Sequence, residues 1–234
     1  NGKEAGKWAY GYNAFRIDIT PFIQFGKSNL IEVHLNNVEE SSRWYPGGGL
    51  YRPVSVELYG NENFSTWDTF VRTLKADKQE AEVEVNALLE GKTGKSGKTV
   101  IALLDEAGKK VAEKIVTGAN PKIKTTLKVA NPQLWSPESP YLYQVKLTRY
   151  EGKKVADVQT LKTGIRTIAV SKEYGFQLNG VTRKLKGVCL HHDLGPLGAA
   201  ENKAALIRQI KMMKQMGCDA IRTAHNMPST MQME

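Results

Sequence analysis

Two stretches late in the chain bring together side chains that could bind a polar ligand. The first is "GVCLHHDLG", with His191, His192 and Asp193; the second is "CDAIRTAHN", with Arg222, His225 and Asn226. Neutral imidazole offers one donor and one acceptor, a carboxylate offers only acceptors, and a guanidinium offers a planar fork of donors. With imidazole and carboxylate so close, a divalent metal site is one reading. Against it, adjacent His191 and His192 point in different directions from a strand end, and no second ligand cluster supports them. A third stretch, "SSRWYPGGGLYRPVSVELYG", sets cationic and aromatic residues beside Gly47, Gly48 and Gly49. Trp44 and Tyr45 could stack on a sugar face while Arg43 or Arg52 donates hydrogen bonds, and the plain alternative is a tight loop with aromatic anchors.

The elements around these residues decide which can meet. "LKGVCL" is an apolar run without alternation, as in a strand buried on both faces. "ENKAALIRQIKMMKQMG" holds Leu206, Ile210 and Met213 at helical spacing, with Asn202 placed to cap its start and Gly217 to end it. Met212, Met213 and Met216 then read as core filler. "CDAIRT" is a second short buried strand. Strand, helix and strand in this order make a parallel pair with a right-handed crossover, and functional groups of such units gather at the carboxyl ends of the strands. His191, His192 and Asp193 follow the first strand, while Arg222 and His225 follow the second, so one rim should collect them.

Before residue 170 the period is two. "NLIEVHLNN" puts Ile31, Val33 and Leu35 on one side and leaves His34 facing solvent, and "AEVEVNALL" does the same for Val83, Val85, Ala87 and Leu89. "TVIALLDEAGKKVAEKIV" reads as two strands around a turn at 106–109, and "YLYQVKLTRYEGKKVADVQTL" repeats the arrangement around 151–153. Between about residues 64 and 168 this predicts an antiparallel sandwich of about seven strands with no helix. Pro132, Pro137 and Pro140 mark an ordered loop between sheets. Asn179-Gly180 between two apolar runs is a hairpin signal.

Composition narrows the classes further. With 234 residues and 41% hydrophobic content the chain is globular. No stretch of about 18 apolar residues argues for a membrane span, and the first fifteen residues lack the pattern of a signal peptide. A first residue other than Met suggests that the chain was cut from something longer. The net charge of +9 comes from lysines scattered over polar turns rather than aligned on one face, so no nucleic-acid partner is expected. In "EGKTGKSGKT" every Gly-Lys-Ser/Thr triplet lacks the upstream glycine of a phosphate-binding loop, leaving a basic hairpin turn. Cys189 and Cys218 make no disulfide framework and read as buried free thiols.

Five blocks in order, "GYNAFRIDITPFIQFGKSNLIEVHLNN", "SSRWYPGGGLYRPVSVELYG", "LWSPESPYLYQVKL", "GFQLNGVTRKLKGVCLHHDLGPLGAA" and "MKQMGCDAIRTAHNMPS", resemble glycoside hydrolase family 2. The wording of "RWYPGGGLYR" and "HHDLGPLG" looks most like its β-galactosidase branch. The resemblance implies a mainly β chain: an immunoglobulin-like β-sandwich flanked by part of a jelly-roll domain and the first βα units of a TIM barrel. The implied bounds are 1–60 for the end of the jelly-roll sugar-binding domain, 61–168 for the sandwich and 169–234 for the start of the barrel.

By the same resemblance, the activity is retaining, exo-acting β-glycoside hydrolysis. Such chemistry needs two carboxyl groups about 5 Å apart, and in the family both are glutamates on later barrel strands. No Asn-Glu pair of this chain fits, so both are expected beyond residue 234 and the isolated chain is expected to be inactive, with no catalytic residue of its own. Arg222, His225, His191, Asp193, Asn226, Arg43 and Trp44 are the implied substrate-binding residues. Arg222 would brace a carboxylate or a sugar hydroxyl, and His225 would hydrogen-bond the sugar. Asn226-Met227-Pro228 departs from the Tyr-Pro that often follows this histidine, which leaves the subsite shape open. No cofactor is evident, and a divalent cation in the full-length enzyme stays open. The expected partner is a carbohydrate, with a homo-oligomer left open and neither membrane nor nucleic acid; the compartment is undetermined. The alternative is a non-catalytic β-sandwich carbohydrate-binding module.

Overall fold

The computed structural model describes residues 1–40, 48–91 and 97–234. Arg43, Trp44 and most of the "EGKTGKSGKT" turn lie outside the described residues. The chain is mainly β and divides into two compact units, one of residues 57–184 and one combining 1–56 with 185–234.

The 57–184 unit is built from eight strands and a small hairpin sheet. The strands are β1 (Glu62–Phe64), β2 (Phe70–Ala76), β3 (Glu80–Gly91), β4 (Lys98–Leu104), β5 (Lys110–Thr117), β6 (Lys122–Ala130), β7 (Tyr143–Glu151) and β8 (Lys154–Thr163). In one sheet β3 pairs with β1 and β2 along one edge and with β6 along the other; the second runs β5-β4-β7-β8. All these pairs are antiparallel. Val83, Val85, Ala87 and Leu89 are buried, as their alternation predicts, and they join Ile101, Leu103, Leu127, Val145 and Leu147 in one core fed by both sheets. Each buried valine, leucine or isoleucine contributes about 1.5–3 kcal/mol by leaving water, and that gain is available only while the period-two register holds. The turns fall where turn chemistry placed them: Gly108 N–H donates to the Asp105 carbonyl, and β7 and β8 join through residues 152–153.

One polar pair lies inside this core. Arg149 Nε and Nη2 donate to the two carboxylate oxygens of Glu62 at 3.0 and 2.9 Å, with side-chain exposures of only 1% and 3%. The guanidinium also reaches the Thr99 hydroxyl at 3.4 Å. It fits because Gly97 carries no side chain: a Cβ there would meet Arg149 Nη2 at 2.0 Å.

The remaining strands of this unit, β9 (Ile168–Ser171), β10 (Gly175–Leu178) and β11 (Val181–Thr182), form an antiparallel three-stranded sheet. Asn179 and Gly180 take φ of 52° and 76°, the left-handed pair that a two-residue type I′ turn requires. Asn179 does more than turn the chain, because its Oδ1 accepts from Thr167 N–H and its Nδ2 donates to the Trp135 carbonyl, both at 3.0 Å. Asn179→Ala should therefore destabilise this unit by about 1–3 kcal/mol, since two part-buried backbone groups lose their partners. Urea unfolding followed by circular dichroism checks it, and a loss within a few tenths of a kcal/mol would reduce Asn179 to a turn former.

In the other unit, β12 (Gly187–Leu190) and β13 (Ala220–Thr223) pair in parallel, joined through α1 (Lys203–Gln215); α2 (Thr230–Met233) follows. The Asn202 side chain accepts from Ala205 N–H at 3.1 Å, Gly217 takes φ of 85° after the last turn, and Leu206 and Met213 bury one face of α1. Among the described residues no helix is long and apolar enough to cross a membrane.

Three local expectations are corrected. Residues 28–38 form no strand; Ile31, Val33 and Leu35 are exposed together with Glu32 and His34. Alternation marks a segment able to pair, but pairing needs a neighbour, and none of the described residues runs a ladder beside it. The strand 187–190 is not buried on both faces, because a two-stranded sheet with open outer edges covers little of itself. For the same reason the cysteines are free but not buried: Cys189 is exposed and Cys218 half-exposed.

Candidate functional site

The parallel pairing of β12 with β13 aligns two strand ends. Cys189 lies beside Arg222 and Leu190 beside Thr223, so the residues that follow each strand emerge on the same side. There Arg222 Nη2 stands 2.9 Å from His225 Nδ1, and the His191 and His225 rings meet edge to face with centroids 5.9 Å apart. His225 is held at φ of 66°, a left-handed conformation that a non-glycine residue adopts only where its surroundings enforce it. Arg222 and His225 are both exposed.

Behind this face lies a second, less exposed group. His192 Nε2 is 2.7 Å from Asn226 Nδ2, and the Tyr10 hydroxyl donates to Asn226 Oδ1. Tyr12 stacks on His192 at 5.3 Å between ring centroids, and Tyr51 meets it edge-on at 6.4 Å. Arg52 lies over the Tyr51 ring, donates from Nη2 to the Met227 carbonyl at 2.7 Å, and pairs at 4.0 Å with Glu201. Residues 10–12 and 51–52 are thus stitched to the loops after β12 and β13.

The expected residues divide accordingly. His191, Arg222 and His225 converge on the open face. Asp193 accepts from Gly195 N–H at 2.8 Å and so shapes the turn after β12. Asn226 has both ends of its amide engaged, by Tyr10 and by His192. The cavity bounded by Tyr51, His192, Asp193, Glu201 and Asn226 measures about 40 Å³, too small for a sugar when ligand pockets start near roughly 300 Å³. A ring-sized ligand does not fit inside it. Sequence reasoning missed Tyr10, Tyr12, Tyr51 and Glu201; the alternate aromatics of "WAYGY" were the only local signal, and their partners lie about 180 to 216 positions away.

Burial pushes the His192 imidazole below its usual range, with the Arg52 charge next and His191 after it, while Glu201 opposes them. Tyr10, Tyr12 and Tyr51 complete the ionisable groups beside the ring. A histidine whose pKa is lower when folded binds fewer protons in the folded state, so its contribution to stability is present above about pH 6.5 and is lost as the pH falls below that value. Acidification from pH 7.5 to 5.5 should accordingly lower the amide protection factors of residues 10–12, with exchange rates corrected for the intrinsic effect of pH. His192→Gln, which keeps an acceptor but cannot titrate, should flatten this response; the same response in both proteins would acquit His192.

With this geometry in hand, comparison with known proteins is informative. Residues 65–166 match the model of the Glycosyl hydrolases family 2. The chain is 37% identical to a β-galactosidase of Bacteroides ovatus over 98% of its length, and 40% identical to a candidate β-glucuronidase of Formosa agariphila over 97%. It covers 28% and 22% of those two proteins, about a quarter of their length. A family 2 glycosyl hydrolase from Bacteroides cellulosilyticus superposes on 99% of the chain with a TM-score of 0.92 and 40% identity, the chain covering 33% of that structure. The relatives are glycosidases, and the family that the strands of the 57–184 unit match is Glycosyl hydrolases family 2.

Proposed function

We propose that this chain is part of a retaining, exo-acting β-glycosidase of family 2 and that its open face positions the terminal sugar. The observation that carries this is likeness to glycosidases over nearly the whole chain, including the 1–56 and 185–234 unit that holds the site. In this reading residues 61–168 are an immunoglobulin-like sandwich, residues 1–60 end a jelly roll, and residues 169–234, with β12, α1 and β13, open a TIM barrel.

Hydrolysis with retention needs a nucleophile and an acid/base carboxyl about 5 Å apart. Of the carboxylates bounding the cavity, Glu201 is paired with Arg52 and Asp193 holds a turn. We assign neither to catalysis; the reacting pair belongs to further chain, and the residues in hand orient the sugar. His191, His225 and Arg222 do so by hydrogen bonds to hydroxyl groups, which fixes the anomeric carbon for attack and removes rotational freedom before reaction. The first substrate proposed is a terminal β-galactoside. A β-glucuronide is the second reading, favoured by the Formosa agariphila relative.

The test compares this chain with one extended by roughly 200 residues, enough to complete a barrel, on aryl β-galactosides, β-glucuronides and β-mannosides. Turnover only by the longer chain supports the reading and names the sugar. Turnover by neither, with sugar binding by the short one, would make the chain a carbohydrate-binding module, and full turnover by the short chain would overturn the placement of the carboxylates.

A further inference from the structure

The geometry points to a positioning role for Arg222: it holds His225 as the Nε2–H tautomer, so that the ring can only donate to a ligand, while Asn226 holds His192 in the opposite tautomer. The functional half of this rests on the β-glycosidase reading above; the tautomers do not.

The argument for His225 is one of donors and acceptors. A guanidinium has five N–H groups and no acceptor. At 2.9 Å from Arg222 Nη2, His225 Nδ1 must supply the lone pair, so the ring proton sits on Nε2. Arg222 thereby works through His225 with one of its five N–H groups. The left-handed backbone of His225 fixes where the ring stands, and the edge-on ring of His191 limits its rotation.

The argument for His192 uses a chain of two bonds. In the structure Asn226 presents Oδ1 to the Tyr10 hydroxyl and its NH₂ to His192. This NH₂ faces His192 Nε2 at 2.7 Å, so Nε2 accepts and the proton lies on Nδ1. Neighbouring histidines from one loop system are thus locked in opposite forms by two different donors, one charged and one neutral.

The consequence concerns specificity. With Nδ1 occupied, the free edge of His225 presents an N–H and demands a ligand atom with a lone pair. A sugar hydroxyl satisfies it and keeps its own proton free for another acceptor. An ammonium group at that position, as in a protonated amino sugar, meets donor against donor and is rejected.

Long-range proton–nitrogen NMR on the uniformly ¹⁵N-labelled chain above pH 7 distinguishes the tautomers directly. There are four histidines, and His191→Gln, His192→Gln and His225→Gln assign the rim signals by loss. The result expected is Nε2–H for His225 and Nδ1–H for His192. Arg222→Met should release His225 into a mixture of both forms, and Arg222→Lys, which keeps a cationic donor, should preserve the native form. An Nδ1–H tautomer at His225 in the native chain, or no change on Arg222→Met, overturns the assignment whatever the enzyme's activity. In the extended protein, Arg222→Met should lower kcat/KM for the aryl glycoside by about ten-fold or more, with partial recovery in Arg222→Lys. A chain with the expected tautomers that hydrolyses no β-glycoside would sink the functional reading alone.

Discussion

Arg149→Met should destabilise the 57–184 unit by about 3–5 kcal/mol, the cost typical of removing one partner from a buried ion pair. The magnitude follows from what is left behind. Glu62 is 3% exposed and both its carboxylate oxygens accept from the guanidinium. Without Arg149 it must stay charged in a dry site or take up a proton, and either alternative is unfavourable. Glu62→Met with Arg149→Met together should recover most of the loss, because an apolar pair of similar volume carries no charge to desolvate. Gly97→Ala should mimic part of the single variant, since its Cβ would occupy the space of Arg149 Nη2. Chemical denaturation of the native chain, Arg149→Met, Glu62→Met and the double variant forms a cycle. A single-variant loss below about 1 kcal/mol, the range of exposed pairs, would show that water reaches the site.

Gly187→Ala should have the largest effect on the proposed chemistry. A Cβ at 187 would lie 2.7 Å from the Ala220 carbonyl oxygen and 3.1 Å from its carbon, and backbone cannot step aside as a flexible side chain can. β12 must move away from β13, carrying His191 away from Arg222 and His225. Overpacking of this kind costs about 1–3 kcal/mol in stability. For the extended enzyme the expected loss in kcat/KM is on the order of 100-fold, the penalty for a misplacement of about 1 Å in a positioning group. Amide exchange in the chain described here should rise at 187–190 and 220–223 and stay unchanged in β3 and β7. Full activity with unchanged exchange would mean that the two strands do not set the site.

The sandwich was legible because β3, β4, β6 and β7 each bury one face, which writes a period of two directly into the residues. Val83 to Leu89 and the 106–109 and 179–180 turns are local in this sense. The same alternation misled at Ile31, Val33 and Leu35, since it records a side-chain preference and says nothing of whether a neighbouring strand is present. Arg149 and Glu62 were illegible for another reason: each looks like an ordinary strand charge, and only their meeting across 87 positions makes them a core pair. The site divides along the same line. Arg222 and His225 are three residues apart, one near the end of β13 and one just after it, so their chemistry shows in a short window. Tyr10, Tyr12 and Tyr51 reach His192 and Asn226 from the far end of the chain, and no local pattern encodes that.

The discontinuous unit has a consequence for synthesis. The Tyr10 clasp on Asn226 closes across 216 residues, whereas the two sheets of the sandwich pair only strands that lie within 57–184. A chain emerging from the ribosome can therefore fold the sandwich as soon as residue 184 is out, while Tyr10 and Tyr12 wait for Asn226 and His192 until β13 and its loop arrive. At about 5–20 residues per second that wait lasts several seconds or more, a window in which a holding chaperone would find its substrate at the amino-terminal end.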